Sequence, residues 1–127
     1  RRRAIMTAYD EAFSDDPRFT CPTWENNEGR SSFHLYMLRV NGLNEQQRDR
    51  LIQEIFERDV AVNVHFVPLP MMTYYRNLGY DISDYPQAYC NYAAEVSLPV
   101  YYDLNPGMQR EVITAVKAAM EKVESAL

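Results

Sequence analysis

SFHLYMLRVNGLNEQQRDRLIQEIFERDVAVNVHF, residues 32–66, changes its hydrophobic rhythm twice. The run from Ser32 to Val40 is dense in aromatic and aliphatic side chains and reads as a largely buried strand, closed by Asn41-Gly42. Asn44 is a good helix cap, with Gln47 three residues on as its capping-box partner. Leu51, Ile52, Ile55 and Phe56 then recur at helical spacing, while Glu54 and Arg58 form an i,i+4 pair on the outside of that helix. A second strand is expected from Ala61 to Phe66, stopped by Pro68 and Pro70. Strand, helix and strand in 35 residues describe a layered unit.

Before this unit, residues 14–31 read as loop, with Ser14-Asp15-Asp16-Pro17 as a helix stop and Pro22 and Gly29 as further turn signals. Arg1 to Phe13 has apolar residues at Ile5, Ala8, Tyr9, Ala12 and Phe13, the stripe of a helix. Its ends are reversed for a free-standing helix. Three arginines stand where the helix dipole is positive, and acidic residues stand at the other end. No Ser, Thr, Asp or Asn caps it, and residue 1 is not methionine. The expectation is that this segment is the cut end of a longer helix, with a disordered basic tail or nucleic-acid arm as the alternative, and that the remainder forms one domain.

After the central unit, Thr73 to Leu78 and Pro86 to Glu95 read as short helical pieces, the latter with proline at its first position. Val96-Ser97-Leu98 is a candidate short strand before Pro99. A last helix starts at Asn105-Pro106, with the stripe Val112, Ile113, Val116, Met120 and Val123. The fold class expected is α+β, a small antiparallel or mixed sheet with helices packed on one side.

Composition narrows the function. The 127 residues carry 18 acidic against 13 basic side chains, a net charge of −5 that lacks the basic footprint of a nucleic-acid binder. No apolar run approaches the length of a membrane span, and no signal peptide opens the chain. Cys21 and Cys90 are far apart, as expected of free thiols in a cytoplasmic protein. His34 and His65 have no Cys or carboxylate at a ligand spacing, so no metal site is expected. His34 is expected inside the first strand as a hydrogen-bonded structural residue. His65 is expected at the end of the second, where chain turns out toward a site. The two lysines, Lys117 and Lys122, fall on or near the exposed face of the last helix, which is unsuited to a Schiff base. Eight of the ten tyrosines lie between Tyr74 and Tyr102, a cluster suited to an interface or to a polyhydroxylated ligand, the interface being preferred.

Five pieces in one order carry a family resemblance: Arg2-Arg3-Ala4-Ile5 leading to Tyr9; His34-Leu35-Tyr36; Val64-His65-Phe66-Val67-Pro68-Leu69; Tyr74-Tyr75-Arg76 with Gly79-Tyr80; and Val96-Ser97-Leu98-Pro99-Val100. Together they resemble the C-terminal part of the DegT/DnrJ/EryC1/StrS family of pyridoxal-phosphate-dependent sugar aminotransferases. The resemblance implies that residues 1–15 are the end of the interdomain helix and residues 16–127 the small C-terminal domain of a fold-type-I enzyme, packed against a large domain that holds the pyridoxal phosphate and the Schiff-base lysine. It implies no catalytic or cofactor-binding residue in this chain. His65, Phe66 and His34 are implied as substrate-binding, in a homodimer that moves an amino group, usually from glutamate, to a nucleotide-linked keto sugar. Phe66 stands where the family usually has tyrosine. Leu69-Pro70 lacks the family's second histidine, and Asp59-Val60 replaces a usual Gly-Ile. Two alternatives stand beside this: a dehydratase of the same fold, and a free-standing α+β binding module.

Overall fold

Alternation along Tyr36–Val40 (β4) organises the molecule: Tyr36, Leu38 and Val40 are buried, while Met37 and Arg39 face the other way and are exposed. In the computed structural model, which describes residues 1–126, β4 is the middle strand of a three-stranded antiparallel sheet. Phe19–Thr20 (β1) flanks it on one side and Glu95–Leu98 (β5) on the other. The sheet is antiparallel with helices over one face, as the sequence predicts.

The covered face is closed by three helices. Arg2–Phe13 (α1) buries Ile5, Met6, Tyr9 and Phe13. Glu45–Phe56 (α2) begins with the predicted box, Asn44 accepting from the Gln47 amide at 3.0 Å and the Gln47 side chain returning the bond at 2.8 Å. Pro106–Glu124 (α5) is capped by Asn105, which accepts from Gly107 and Met108, and buries Val112, Val116, Met120 and Val123. Their apolar stripes join Phe19, Tyr36, Leu38, Val40, Val96 and Leu98 in one core. As expected, α1 has no side-chain cap; the Arg1 guanidinium instead donates to the carbonyls of Tyr102 and Leu104. Asp10, unfavourable to the dipole at its position, accepts from Tyr36 Oη at 2.8 Å and Trp24 Nε1 at 2.7 Å. Those two bonds compensate for its placement.

Several expectations need correction. The first strand starts at Tyr36 rather than Ser32, because Phe33 takes a positive φ of 56° that no strand continues through. His34 therefore lies outside the strand and is exposed, not a structural residue within it. Residues 61–66 form no strand. Asn63 and Ser97 exchange one pair of main-chain bonds (3.3 and 2.7 Å), and then the Asn63 side chain takes the Val64 amide at 2.8 Å and turns the chain away. The loop at 14–31 contains β1 and a small hairpin, Glu25–Asn26 (β2) with Gly29–Arg30 (β3), whose turn is tied by Asn26 Oδ1 accepting from Glu28 and Gly29. Ala8 and Ala12 are only half-buried, Met6 taking the buried place in α1. Phe56 is half-exposed rather than part of the α2 stripe. Glu54 is buried rather than on the outside, because α5 packs on that side. It bridges Arg58 (3.2 Å) and Lys122 (2.6 Å). Asp59, in place of glycine, does hold the left-handed turn, with φ 59°.

One buried cation ties the helical layer to what lies beyond the sheet. Arg48 on α2 is 1% exposed. Its Nη1 donates to the Tyr92 carbonyl (2.6 Å) and the Glu95 carbonyl (3.0 Å), and its Nε to Asp49 (2.8 Å). The two carbonyls belong to the end of Pro86–Ala94 (α4, which follows the short helix Thr73–Asn77, α3) and to the start of β5, and the Tyr92 carbonyl also accepts the Glu95 main-chain N–H. The guanidinium also lies 5.0 Å from the centroid of the Tyr92 ring. Arg48→Ala is expected to cost about 2–4 kcal/mol by urea unfolding, and Asn44→Ala about 1 kcal/mol.

Candidate functional site

On the uncovered side of the sheet the register sets which side chains meet. Met37 lies opposite Ser97 and Arg39 opposite Glu95, so these four share the open face. The chain leaving the Asn63 bridge crosses toward this face at His65 and Phe66, and α4 stands at its other side. Between them lies a cleft of about 620 Å³, lined by Met37, Arg39, His65, Phe66, Asn91 and Glu95 among others.

Its chemistry is mixed. Arg39 Nη1 donates to Asn91 Oδ1 at 2.8 Å, leaving an exposed guanidinium beside an amide. Phe66 is 69% exposed, with its ring edge-on to the His65 imidazole at 4.6 Å. Glu95 is 5% exposed, and among the described residues it has no ion-pair partner. Its Oε2 accepts the His65 main-chain N–H at 2.9 Å and its Oε1 the Ser97 hydroxyl. Burial pushes the Glu95 carboxyl above the usual carboxylate range, against the lowering effect of those two bonds. His65 Nδ1 is buried without a hydrogen-bond partner among the described residues. The Arg39 guanidinium and the Asn91 amide, beside Met37 and the Phe66 ring, suit a polyhydroxylated ligand bearing negative charge.

Of the three residues singled out in the sequence as substrate-binding, the structure places two on the main cleft and the third outside it. His65 and Phe66 line the main cleft, and His34 meets His65 along an adjoining depression of about 330 Å³, with Asn63 and Ser97. Arg39, Asn91 and Glu95 escaped the sequence reading. The available signal was Glu95 two residues before Ser97, a carboxylate on the same face of a buried strand. The lysines lie elsewhere: Lys122 pairs with Glu54 and Glu57, and Lys117 covers the Phe13 ring at 5.7 Å. Among the described residues no group of three His, Cys, Asp or Glu could hold a metal ion, and no helix is long and apolar enough to cross a membrane. Past Phe66 the chain exposes Val67, Leu69, Tyr74, Leu78 and Tyr80, an apolar surface. Two of the clustered tyrosines point back instead, Tyr89 and Tyr92 donating to Glu45.

A three-stranded antiparallel sheet with helices on one face and a ligand-sized cleft on the other is the small-domain architecture of fold-type-I aminotransferases. The model of the DegT/DnrJ/EryC1/StrS aminotransferase family matches residues 1–117, and the chain belongs to that family. Among solved structures it is similar to Spr1654 of Streptococcus pneumoniae, provisionally assigned as a sugar aminotransferase and solved in PMP and PLP forms. The PMP form superposes with a TM-score of 0.90 at 36% identity, over 96% of this chain and 30% of that one. It is 30% identical to the spore coat polysaccharide biosynthesis protein SpsC of Bacillus subtilis, over 92% of this chain and 31% of that protein. It is 26% identical to the UDP-4-amino-4,6-dideoxy-N-acetyl-beta-L-altrosamine transaminase of Campylobacter jejuni, over 98% of this chain and 32% of that one. The chain thus spans about a third of the length of the relatives it matches.

A carboxyl that holds its proton more tightly when folded, as Glu95 does, loses stability as pH rises from its unfolded value through its folded one. Glu95→Gln has no such loss. The Tm of the Glu95→Gln variant minus that of wild type is expected to be more positive at pH 7 than at pH 4 in thermal unfolding; the opposite sign contradicts the buried-carboxyl assignment.

Proposed function

We propose that this chain is the substrate-facing small domain of a pyridoxal-phosphate-dependent sugar aminotransferase. The observation that supports this most is the coincidence of family membership with the His65–Phe66 corner on an open cleft. The proposed acceptor is a keto sugar linked to a nucleotide, and the proposed donor is glutamate. The Campylobacter relative's UDP-linked sugar supports the nucleotide, and the Arg39 guanidinium supports a ligand that carries charge. We place the protein in the cytoplasm, as a homodimer.

The described residues do not fit covalent attachment of the cofactor. Neither lysine reaches the cleft, Lys122 being held by two carboxylates and Lys117 lying over Phe13. Catalytic and cofactor-binding residues are accordingly proposed to lie on a large domain of the same protein. This chain's share is to bind and orient. His65 offers its imidazole at the cleft wall, Phe66 offers an aromatic wall in place of a tyrosine hydroxyl, and His34 lines the adjoining depression. The apolar surface from Val67 to Tyr80 is proposed to be covered by the large domain and the second subunit.

The test uses the full-length protein with glutamate and a panel of nucleotide-linked keto sugars, following 2-oxoglutarate release and the mass of the sugar product. An amine in place of the keto oxygen is expected. His65→Ala and Phe66→Ala are each expected to raise KM for the sugar about tenfold, about 1.4 kcal/mol, and to leave KM for glutamate within threefold. Loss of water from the sugar without amination points to the dehydratase alternative. No change in any sugar points to a binding module.

A further inference from the structure

The peptide N–H of His65 lies where the chain has just left its single bridge to β5. Beyond Asn63 no main-chain partner among the described residues holds residues 64–67, and the Val64 amide is taken by the Asn63 side chain. The next fixed point is the Glu95 carboxylate, 2.9 Å from the His65 nitrogen. Glu95 is itself immobilised from three sides. Its main-chain oxygen receives Arg48 Nη1, its Oε1 receives the Ser97 hydroxyl, and its strand is paired with Arg39 of β4. A buried carboxylate without a cation is costly to fold, yet it supplies an acceptor at the point where the cleft wall would otherwise hang free. The imidazole and the Phe66 ring project from the residue it holds and the one after it, and both line the cleft.

We propose that Glu95 is the positioning residue of the cleft: its carboxylate fixes the main chain at His65 and so sets the directions in which the imidazole and the Phe66 ring meet the sugar. The proposal rests on the reading of the cleft as a keto-sugar site. Glu95 touches no substrate in this role; it acts through the His65 amide.

Two variants separate reach from charge. Glu95→Asp keeps the charge but withdraws the carboxylate by one methylene from the His65 amide. Glu95→Gln keeps the reach, since its carbonyl oxygen accepts from His65 and its amide can donate to the Ser97 oxygen. In the full-length protein, Glu95→Asp is expected to raise KM for the keto sugar at least tenfold, with kcat within threefold. Glu95→Gln should stay within threefold of wild type in both. Hydrogen exchange at the His65 amide, resolved by fragmentation mass spectrometry, is expected to accelerate at least fivefold in the Asp variant and to remain unchanged in the Gln variant. An unchanged His65 amide in the Asp variant overturns the proposal, as does a Gln variant damaged as badly as the Asp one. If the wild-type protein aminates no keto sugar, the functional reading fails, while the exchange measurement still judges the positioning role on its own.

Discussion

A guanidinium taken out of water has to satisfy its donors inside the protein, and Arg48 does so on the main-chain oxygens of Tyr92 and Glu95, where α4 ends and β5 begins. At that junction the Tyr92 carbonyl also takes the Glu95 main-chain N–H, and the four residues of the strand that follows are all buried. Glu45 of α2 also binds α4 by accepting from Tyr89 and Tyr92, but it is Arg48 on the same helix that connects the helical layer to the start of β5. The start of β5 is held in place by it. So is Glu95, and through Glu95 the corner at His65.

The two faces of the sheet consequently do different work. One is a core of aliphatic and aromatic residues closed by α1, α2 and α5. The other carries Met37, Arg39, Glu95 and Ser97, the first three of which line the cleft. A rigid scaffold with its polar groups at strand ends and adjoining loops is where binding residues are usually found. Beyond the cleft, the exposed apolar stretch from Phe66 to Tyr80 extends the surface that the proposed large domain and second subunit would cover.

Much of this was legible in the residues. Asn44 with Gln47, Asn105 with Pro106, and Pro86 announce their helices through local hydrogen-bonding needs and a fixed φ, and all three helices start where those signals stand. Strand boundaries were less legible, because they depend on partners. Apolar residues at 61–66 look like a strand, but a single asparagine side chain diverts the backbone after one bridge. Phe33 delays the start of β4 through a positive φ that its residue type does not advertise. The site was half legible. His65 and Phe66 follow from position and resemblance, whereas Arg39, Asn91 and Glu95 come together only through the pairing of β4 with β5 and the approach of α4. No one-dimensional pattern encodes that. Glu54 shows the same limit, since its burial comes from the distant last helix, which brings Lys122 against it.

The most direct test of the account is a crystal structure of the full-length protein with a nucleotide-linked sugar bound. The sugar is expected on the open face of the sheet, with a ring hydroxyl or keto oxygen within hydrogen-bond distance of the His65 imidazole and one sugar face against Phe66. A sugar that leaves residues 65–66 untouched, or that sits against the helical layer, contradicts it.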